Sequence, residues 1–414
     1  MRKMMWNRYT RVLKNRNKVI LGNRYNGQWI KISNECYEIL DLVISKKFTD
    51  DRVINSLEDE DDKKYFKKLL DILYDAELLV EEQHIGEALD IDIAITNRCN
   101  LNCKHCCVDA NTVGSGEVMS TQEIKKNIKK VVASNPKSIC LTGGEPLVRI
   151  DFEEILQYLR EIFSGEIRLM TNGTLINEYF AKLISQNVDA VDISLDGIDE
   201  HTCSKIRGKG VFDKVVHAIS LLQENGLKNI SLSMVLTKDN YPLRKEFALL
   251  NEKLKTRAVV RAFSPIGRGK KNSMILNPGE HEKCIEHDRE WNKVAEDYHI
   301  CCCGALNKEL YINAEGDIFP CGLLERNKYI LGNIRYIDNF QEFVNKEKYR
   351  KTNGYNNWLS LQPENHEFCK ECNVNLFCWN CLHYLDLLEG NETYFKMECS
   401  EIQQHLRKVI WEEE

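Results

Sequence analysis

The chain has 414 residues, 43% of them hydrophobic and 29% charged, with a formal net charge of -6. That length predicts two or three domains, the composition excludes a disordered chain, and the acidic balance offers no footprint for nucleic acid. No apolar run approaches a membrane span, and the positive start Met-Arg-Lys is followed by no apolar signal segment, so a cytoplasmic protein with no membrane association is expected.

The chain holds 17 cysteines, and disulfides are rare in the cytoplasm. Cys36 alone precedes residue 99, whereas Cys301, Cys302, Cys303, Cys321, Cys369, Cys372, Cys378, Cys381 and Cys399 crowd towards the C-terminus. Metal ligation explains that crowding better than cross-linking does.

In chain order, residues 1–85 read as a small domain. Thr10–Lys14, Lys18–Arg24 and Gln28–Ile32 have strand character, and Asn26-Gly27 suits a type I′ hairpin, which needs positive φ at both positions. Ser33 is placed to cap a helix carrying Cys36, Ile39, Leu40 and Val43 on one face. On that face Cys36 reads as a core thiol. A second apolar face recurs at Phe66, Leu69, Leu70, Leu73, Leu78 and Leu79. Three strands followed by helices resembles a winged helix, and the acidic stretch Leu57–Asp62 disfavours DNA binding.

Residues 86–285 alternate strand and helix, the pattern of parallel βα units. Strands are predicted at Ile91–Ile95, Ser138–Leu141, Ile167–Met170, Ala190–Ser194, Ile230–Leu236 and Ala258–Phe263. Helices are predicted at Thr121–Val132, Asp151–Ile162, Asn177–Ser185, Phe212–Glu224 and Leu243–Leu254. Six units are too few to close an eight-stranded barrel. The fold class is therefore α/β, a partial (β/α)6 TIM-like barrel with its site at the C-terminal strand ends. Residues 286–414 lose this rhythm and gain the cysteines.

The first barrel strand leads into Cys99-x3-Cys103-x2-Cys106. Three thiolates on that spacing can hold three corners of an iron–sulfur cubane and leave one iron open to a small molecule. A zinc knuckle is the bland alternative. A strand followed by this loop resembles the radical S-adenosylmethionine (SAM) enzymes, in which the open iron chelates the SAM amine and carboxylate. The resemblance implies SAM contacts from the segments ending the later strands. Gly143-Gly144-Glu145-Pro146 matches the one that holds the SAM amine, and Asn172 in Thr-Asn-Gly ends the next strand in the same way. Ser194 matches the ribose contact and Arg207 the carboxylate contact, while His105 stands at an adenine-side, usually aromatic position or else on the surface. Asp196 either faces the ligand or caps the turn made by Gly197. Cys107 simply follows the loop, and Cys140 reads as strand core.

The C-terminal cysteines resemble the SPASM extension of radical SAM peptide-modifying enzymes, which carries two auxiliary [4Fe-4S] clusters. The resemblance assigns Cys303, Cys321 and Cys381 to the first, and Cys369, Cys372, Cys378 and Cys399 to the second. Here two residues, Trp379 and Asn380, separate Cys378 from Cys381 where the family usually has three. A fourth ligand to the first cluster is left open among Cys301, Cys302, Cys284 and a vacant iron; two zinc ribbons would also use such pairs. The N-terminal domain resembles the recognition element of enzymes that modify ribosomally made peptides, which adds a leader peptide as a strand, here beside Gln28–Ser33.

Together these resemblances imply a maturase that uses a 5′-deoxyadenosyl radical to install a cross-link in a precursor peptide, first of all a cysteine sulfur-to-carbon thioether. Carbon–carbon or carbon–oxygen linkage is the alternative. A formylglycine-forming sulfatase maturase fits less well, because Gly322 stands where that family has an aspartate after the cysteine matching Cys321. From a different class comes a non-catalytic iron–sulfur electron carrier. The implied cofactors are SAM and three [4Fe-4S] clusters; the implied partners are the precursor peptide and a low-potential donor such as flavodoxin or ferredoxin.

Overall fold

A computed structural model describes residues 2–83, 89–110, 116–276, 298–379, 381–389 and 392–412. The chain divides into two compact units. One comprises Met1–Ile85, Glu290–Asn307 and Asn357–Glu414; the other comprises Gly86–Arg289 and Lys308–Asn356.

The first unit starts with β1 (Met5–Trp6), which pairs antiparallel with β5 (Leu79–Val80). β2 (Thr10–Asn15), β3 (Lys18–Asn23) and β4 (Trp29–Ser33) form an antiparallel sheet in that order, which among the described residues leaves β4 at an edge. Side chains alternate across a strand, and β3 is apolar on both faces. Val19 and Leu21 join a core with Leu40, Phe66, Leu69, Leu70 and Leu73. Ile20 points the other way, into a core with Ile300, Val374, Leu376, Leu406 and Ile410. The C-terminal helix Glu392–Trp411 contributes Leu406 and Ile410 to that second core.

Ser33 caps the helix Asn34–Ser45 by accepting from Cys36 N at 3.1 Å. The Asn26-Gly27 hairpin departs from the sequence expectation. Among the residues of this turn only Gly27 has positive φ, at 80°, and the loop closes by Gly27 N donating to Asn23 O. Asn23 decides this: its buried amide donates to Ala76 O and Glu77 O, which ends β3 early and widens the turn.

Among the described residues the second unit is built on a nine-stranded sheet. Its parallel part runs in chain order through β6 (Asp90–Ala94), β7 (Ser138–Thr142), β8 (Glu166–Thr171), β9 (Ala190–Ser194), β10 (Ile230–Val235) and β11 (Arg257–Arg261). β12 (Glu309–Ile312) returns to lie parallel beside β6, and β13 (Asp317–Phe319) and β14 (Gly332–Asn333) extend that side antiparallel. The sheet therefore carries a seventh parallel strand supplied from the cysteine-rich third of the sequence. Ile91, Ile139, Ile167, Leu169, Val191, Ile193 and Leu232 are buried. The alternate positions Asp92, Cys140, Arg168, Asp192 and Ser233 give the opposite face of the sheet a polar surface. Cys140 is buried as expected, though beside charged neighbours.

Candidate functional site

The loop after β6 is held on two sides. Gly144 N donates to Thr96 O and Glu145 N to Arg98 O, both at 2.8 Å. A Cβ on Gly143 would meet Thr96 O at 2.2 Å, and one on Gly144 would meet Arg98 O at 2.2 Å. Both glycines are thus required by close backbone approach, with the strained φ of 135° at Gly143 an added reason. Pro146 opens the short 3-10 turn that follows. On the other side Arg268, in the helix Gly267–Lys271, donates from its backbone to Cys106 O at 2.9 Å and from Nη1 to Cys103 O at 3.0 Å. Sequence reading missed Arg268; its only sequence signal is the Gly-Arg-Gly after β11.

Within this clamp Leu101 N donates to Cys99 Sγ and Ala110 N to Cys106 Sγ, each at 3.4 Å. Burial pushes the Cys99 thiol up to about 11, reinforced by Glu145, Cys103 and Cys106. Cys99 and Cys103, whose thiols burial pushes up, are unfavourable as thiolates until a cation joins them. They fit a cluster that supplies that charge. Cys107 is exposed as a residue, yet burial pushes its thiol up to about 11 as well.

Glu145 is fully buried, and burial pushes its carboxyl up. It accepts from Asn172 N at 2.6 Å, Thr171 Oγ1 at 2.7 Å and Leu147 N at 3.2 Å. The Asn172 amide donates to Asn100 Oδ1 at 2.9 Å and lies 3.8 Å from Cys99 Sγ, so it ties the third strand end to the cysteine loop.

Asp196 does not cap the turn at Gly197. Its Oδ1 accepts from Val235 N at 2.7 Å, and its Oδ2 lies 2.5 Å from Arg207 Nε and 3.1 Å from His105 Nε2. All three side chains are buried, so His105 is not a surface residue. Arg207 ends the helix Glu200–Arg207, which Asp199 caps, and its Nη1 lies 3.8 Å from Cys103 Sγ. Ser194 ends β9, half-buried, opposite Ser233 of β10. The strand ends therefore gather Cys103, His105, Asp196 and Arg207 at one point.

In the first unit the electrostatic field of Cys378 includes Cys301, Cys369, Cys372 and Cys399, and burial pushes its thiol well up. Gln403 Nε2 donates to Cys372 Sγ at 3.1 Å. Cys369, Cys372, Cys378 and Cys399, assigned together from sequence, are thus neighbours, with Cys301 beside them. Cys303 and Cys381 also belong to this unit, Cys321 to the other, and Cys284 lies outside the described residues. Among the described residues no three His, Cys, Asp or Glu side chains converge on one metal position. Cubane ligands bind separate irons and need no such convergence.

Residues 93–250 match the family described as the radical SAM superfamily, and residues 302–373 match SPASM, an iron–sulfur cluster-binding domain. The chain is 30% identical over 288 residues to the mycofactocin maturase MftC of Mycolicibacterium smegmatis, covering 64% of this chain and 72% of that one. The chain belongs to the radical SAM superfamily. This radical SAM enzyme uses SAM with a [4Fe-4S] cluster, and its SPASM domain binds auxiliary iron–sulfur clusters. It is also 27% identical over 329 residues to the subtilosin biosynthesis protein AlbA of Bacillus subtilis, covering 74% of this chain and 69% of AlbA. Its fold resembles Streptococcus suis SuiB, solved with the precursor peptide SuiA, at a TM-score of 0.53 and 17% identity, covering 93% and 97% of the two chains. No helix among the described residues is long and apolar enough to cross a membrane.

Proposed function

We propose that this radical SAM enzyme is a peptide maturase that forms thioether cross-links in a ribosomally made precursor. The observation that carries the reading is the composition of the first unit. It joins a three-stranded sheet with β4 at its edge to the neighbouring thiols of Cys369, Cys372, Cys378 and Cys399. Strand addition at β4, along Gln28–Ser33, would tether a leader peptide by main-chain hydrogen bonds. The relatives named as mycofactocin maturase and subtilosin biosynthesis protein support a peptide substrate.

In this reading residues 1–85 recognise the leader, 86–285 form the SAM domain and 286–414 the auxiliary domain. Cys99, Cys103 and Cys106 hold the SAM-binding cluster. Glu145 receives the SAM amine, Arg207 its carboxylate, Ser194 the ribose, and His105 lies on the adenine side. Cys303, Cys321 and Cys381 hold one auxiliary cluster, and Cys369, Cys372, Cys378 and Cys399 the other. A cluster held by Cys99, Cys103 and Cys106 would supply the electron that cleaves SAM to a 5′-deoxyadenosyl radical, and an auxiliary cluster would take up the electron released on bond formation. The residues of the chain position peptide and SAM and exclude water. Asp196 keeps Arg207 charged and aimed. The protein works in the cytoplasm with a flavodoxin or ferredoxin as donor.

The test is anaerobic turnover with SAM, reductant and a short cysteine-containing peptide encoded beside the gene. The product should have lost two hydrogens, one from carbon and one from sulfur, and its cysteine should resist alkylation. The same mass loss with alkylatable thiols would replace thioether by carbon–carbon or carbon–oxygen linkage. Absence of 5′-deoxyadenosine would overturn the enzyme reading.

A further inference from the structure

The β3–β4 loop of the N-terminal sheet carries a buried cation that leader recognition does not use. Arg24 is only 3% exposed. Its Nη1 alone serves both oxygens of Glu364, at 3.1 and 2.9 Å. Among the described residues Nε and Nη2 have no hydrogen-bond partner. Leaving guanidinium N–H groups buried and unmatched is costly, so a retained acceptor is the simplest account of them. The guanidinium lies over the Trp379 ring, 4.5 Å from its centroid, two residues before Cys381. It also lies within electrostatic range of Cys303. The backbone brings these groups together: Ile300 N donates to Gly27 O at 2.9 Å, and Trp29 Nε1 donates to Tyr298 O at 2.7 Å. A Cβ on Gly27 would stand 3.5 Å from Cys302 Sγ.

We propose that Arg24 is a positioning residue of the auxiliary cluster held by Cys303, directing its unmatched N–H donors at the sulfur atoms of that cluster and raising its reduction potential. The inference rests on Cys303 being a cluster ligand, as proposed above. Reduction adds one electron, and hence one negative charge, to a group facing a fixed cation. A cation and N–H donors at sulfur stabilise the reduced state over the oxidised one. The recognition domain thereby helps to set how readily the electron released by cross-linking is accepted.

The test uses full-length, reconstituted protein in the Cys99→Ala, Cys103→Ala, Cys106→Ala background, followed by spectroscopic redox titration and iron analysis. Cys303→Ala identifies the signal of its cluster. If Cys303→Ala loses neither iron nor any signal, the ligand assignment beneath the inference fails. Arg24→Gln should keep its iron and lower the potential of that signal. A tenfold fall in the reduced-to-oxidised ratio at fixed potential corresponds to about 59 mV for one electron. Arg24→Lys should recover part of the shift. Arg11→Gln, which removes the 2.6 Å partner of the same Glu364, should leave the potential near wild type. Glu364→Gln removes the counter-charge and should move the potential upward, giving a readout of opposite sign should Arg24→Gln not assemble. Wild-type potential in a fully loaded Arg24→Gln protein, or no rise in Glu364→Gln, overturns the proposal.

Discussion

Asp196 Oδ2 lies 2.5 Å from Arg207 Nε, and Arg207 Nη1 lies 3.8 Å from Cys103 Sγ, so one buried carboxylate aims a guanidinium at the cysteine loop. Burial alone would disfavour the Arg207 cation, but Asp196 and the neighbouring Cys103 and Cys203 thiols raise its proton affinity above the ordinary value. Asp196→Asn removes the nearest counter-charge of the buried Arg207. Breaking a buried pair by removing one partner costs about 3–5 kcal/mol. We expect Asp196→Asn to bind SAM at least about tenfold more weakly, since each 1.4 kcal/mol is a factor of ten. Equilibrium binding of SAM to the reconstituted protein checks this. Wild-type affinity would remove Asp196 from the site.

Gly144→Ala tests the backbone contact under the cysteine loop. The added Cβ would meet Arg98 O at 2.2 Å, and that carbonyl also accepts from Glu145 N, so the loop must lift. Overpacking of this kind costs about 1–3 kcal/mol. The variant should lose the SAM-binding cluster, about four iron atoms per chain, while retaining auxiliary iron. Gly116→Ala, with nothing within 4 Å of the new Cβ, should keep full iron. Equal iron in the two variants would show that the loop tolerates the displacement.

Local signals made much of this architecture readable. The helix expected at Thr121–Val132 forms over those residues, with Ser120 and Glu123 making a capping box at its start and Ile124, Ile128 and Val131 buried along one face. The six βα strands were readable because each alternates with an amphipathic helix. What escaped was decided at a distance. The Asn26-Gly27 turn is set by Asn23 reaching Ala76 and Glu77, some fifty residues away. β12 is four residues long, and only its register with β6 reveals it. Asp196 reads locally as a turn former, yet its partners are His105, Arg207 and the backbone of Val235. Arg268 holds carbonyls more than 150 residues earlier.

The polar face of the parallel sheet should give stability a distinctive pH dependence. Burial pushes the Glu309 carboxyl up from 4.5 to about 7, with Asp92 and Asp90 adding repulsion. Asp92 rises likewise from 3.8 to about 6, burial outweighing Arg168 and Arg261. Acids raised in the folded state favour folding while protonated. Their contribution is complete below the unfolded values, near pH 4, and is lost as pH rises through 6 to 7. Glu309→Gln removes the titration. After allowance for partial exposure it should stabilise the protein by about 1–2 kcal/mol at pH 8, and by far less at pH 5.5. Urea unfolding of both proteins at the two pH values checks the sign. An equal difference at both would sink this account.

Arg268→Ala probes the second side of the clamp. Its side chain donates to Cys103 O at 3.0 Å and to Ala110 O, and it pairs with Asp109 at 3.1 Å. Hydrogen bonds from a charged donor contribute about 1.5–3 kcal/mol each, enough to hold the loop closed around its thiols. The variant should bind iron during reconstitution but release it to a chelator about tenfold faster, because loop opening precedes attack. Lys271 pairs with the same Asp109 at 2.8 Å from an exposed position, where an ion pair contributes about 0–1 kcal/mol. Lys271→Ala should therefore bleach at nearly the wild-type rate. If Arg268→Ala bleaches no faster than Lys271→Ala, the carbonyl contacts do not control access to the cluster, and closure of the loop rests on Gly143 and Gly144 alone.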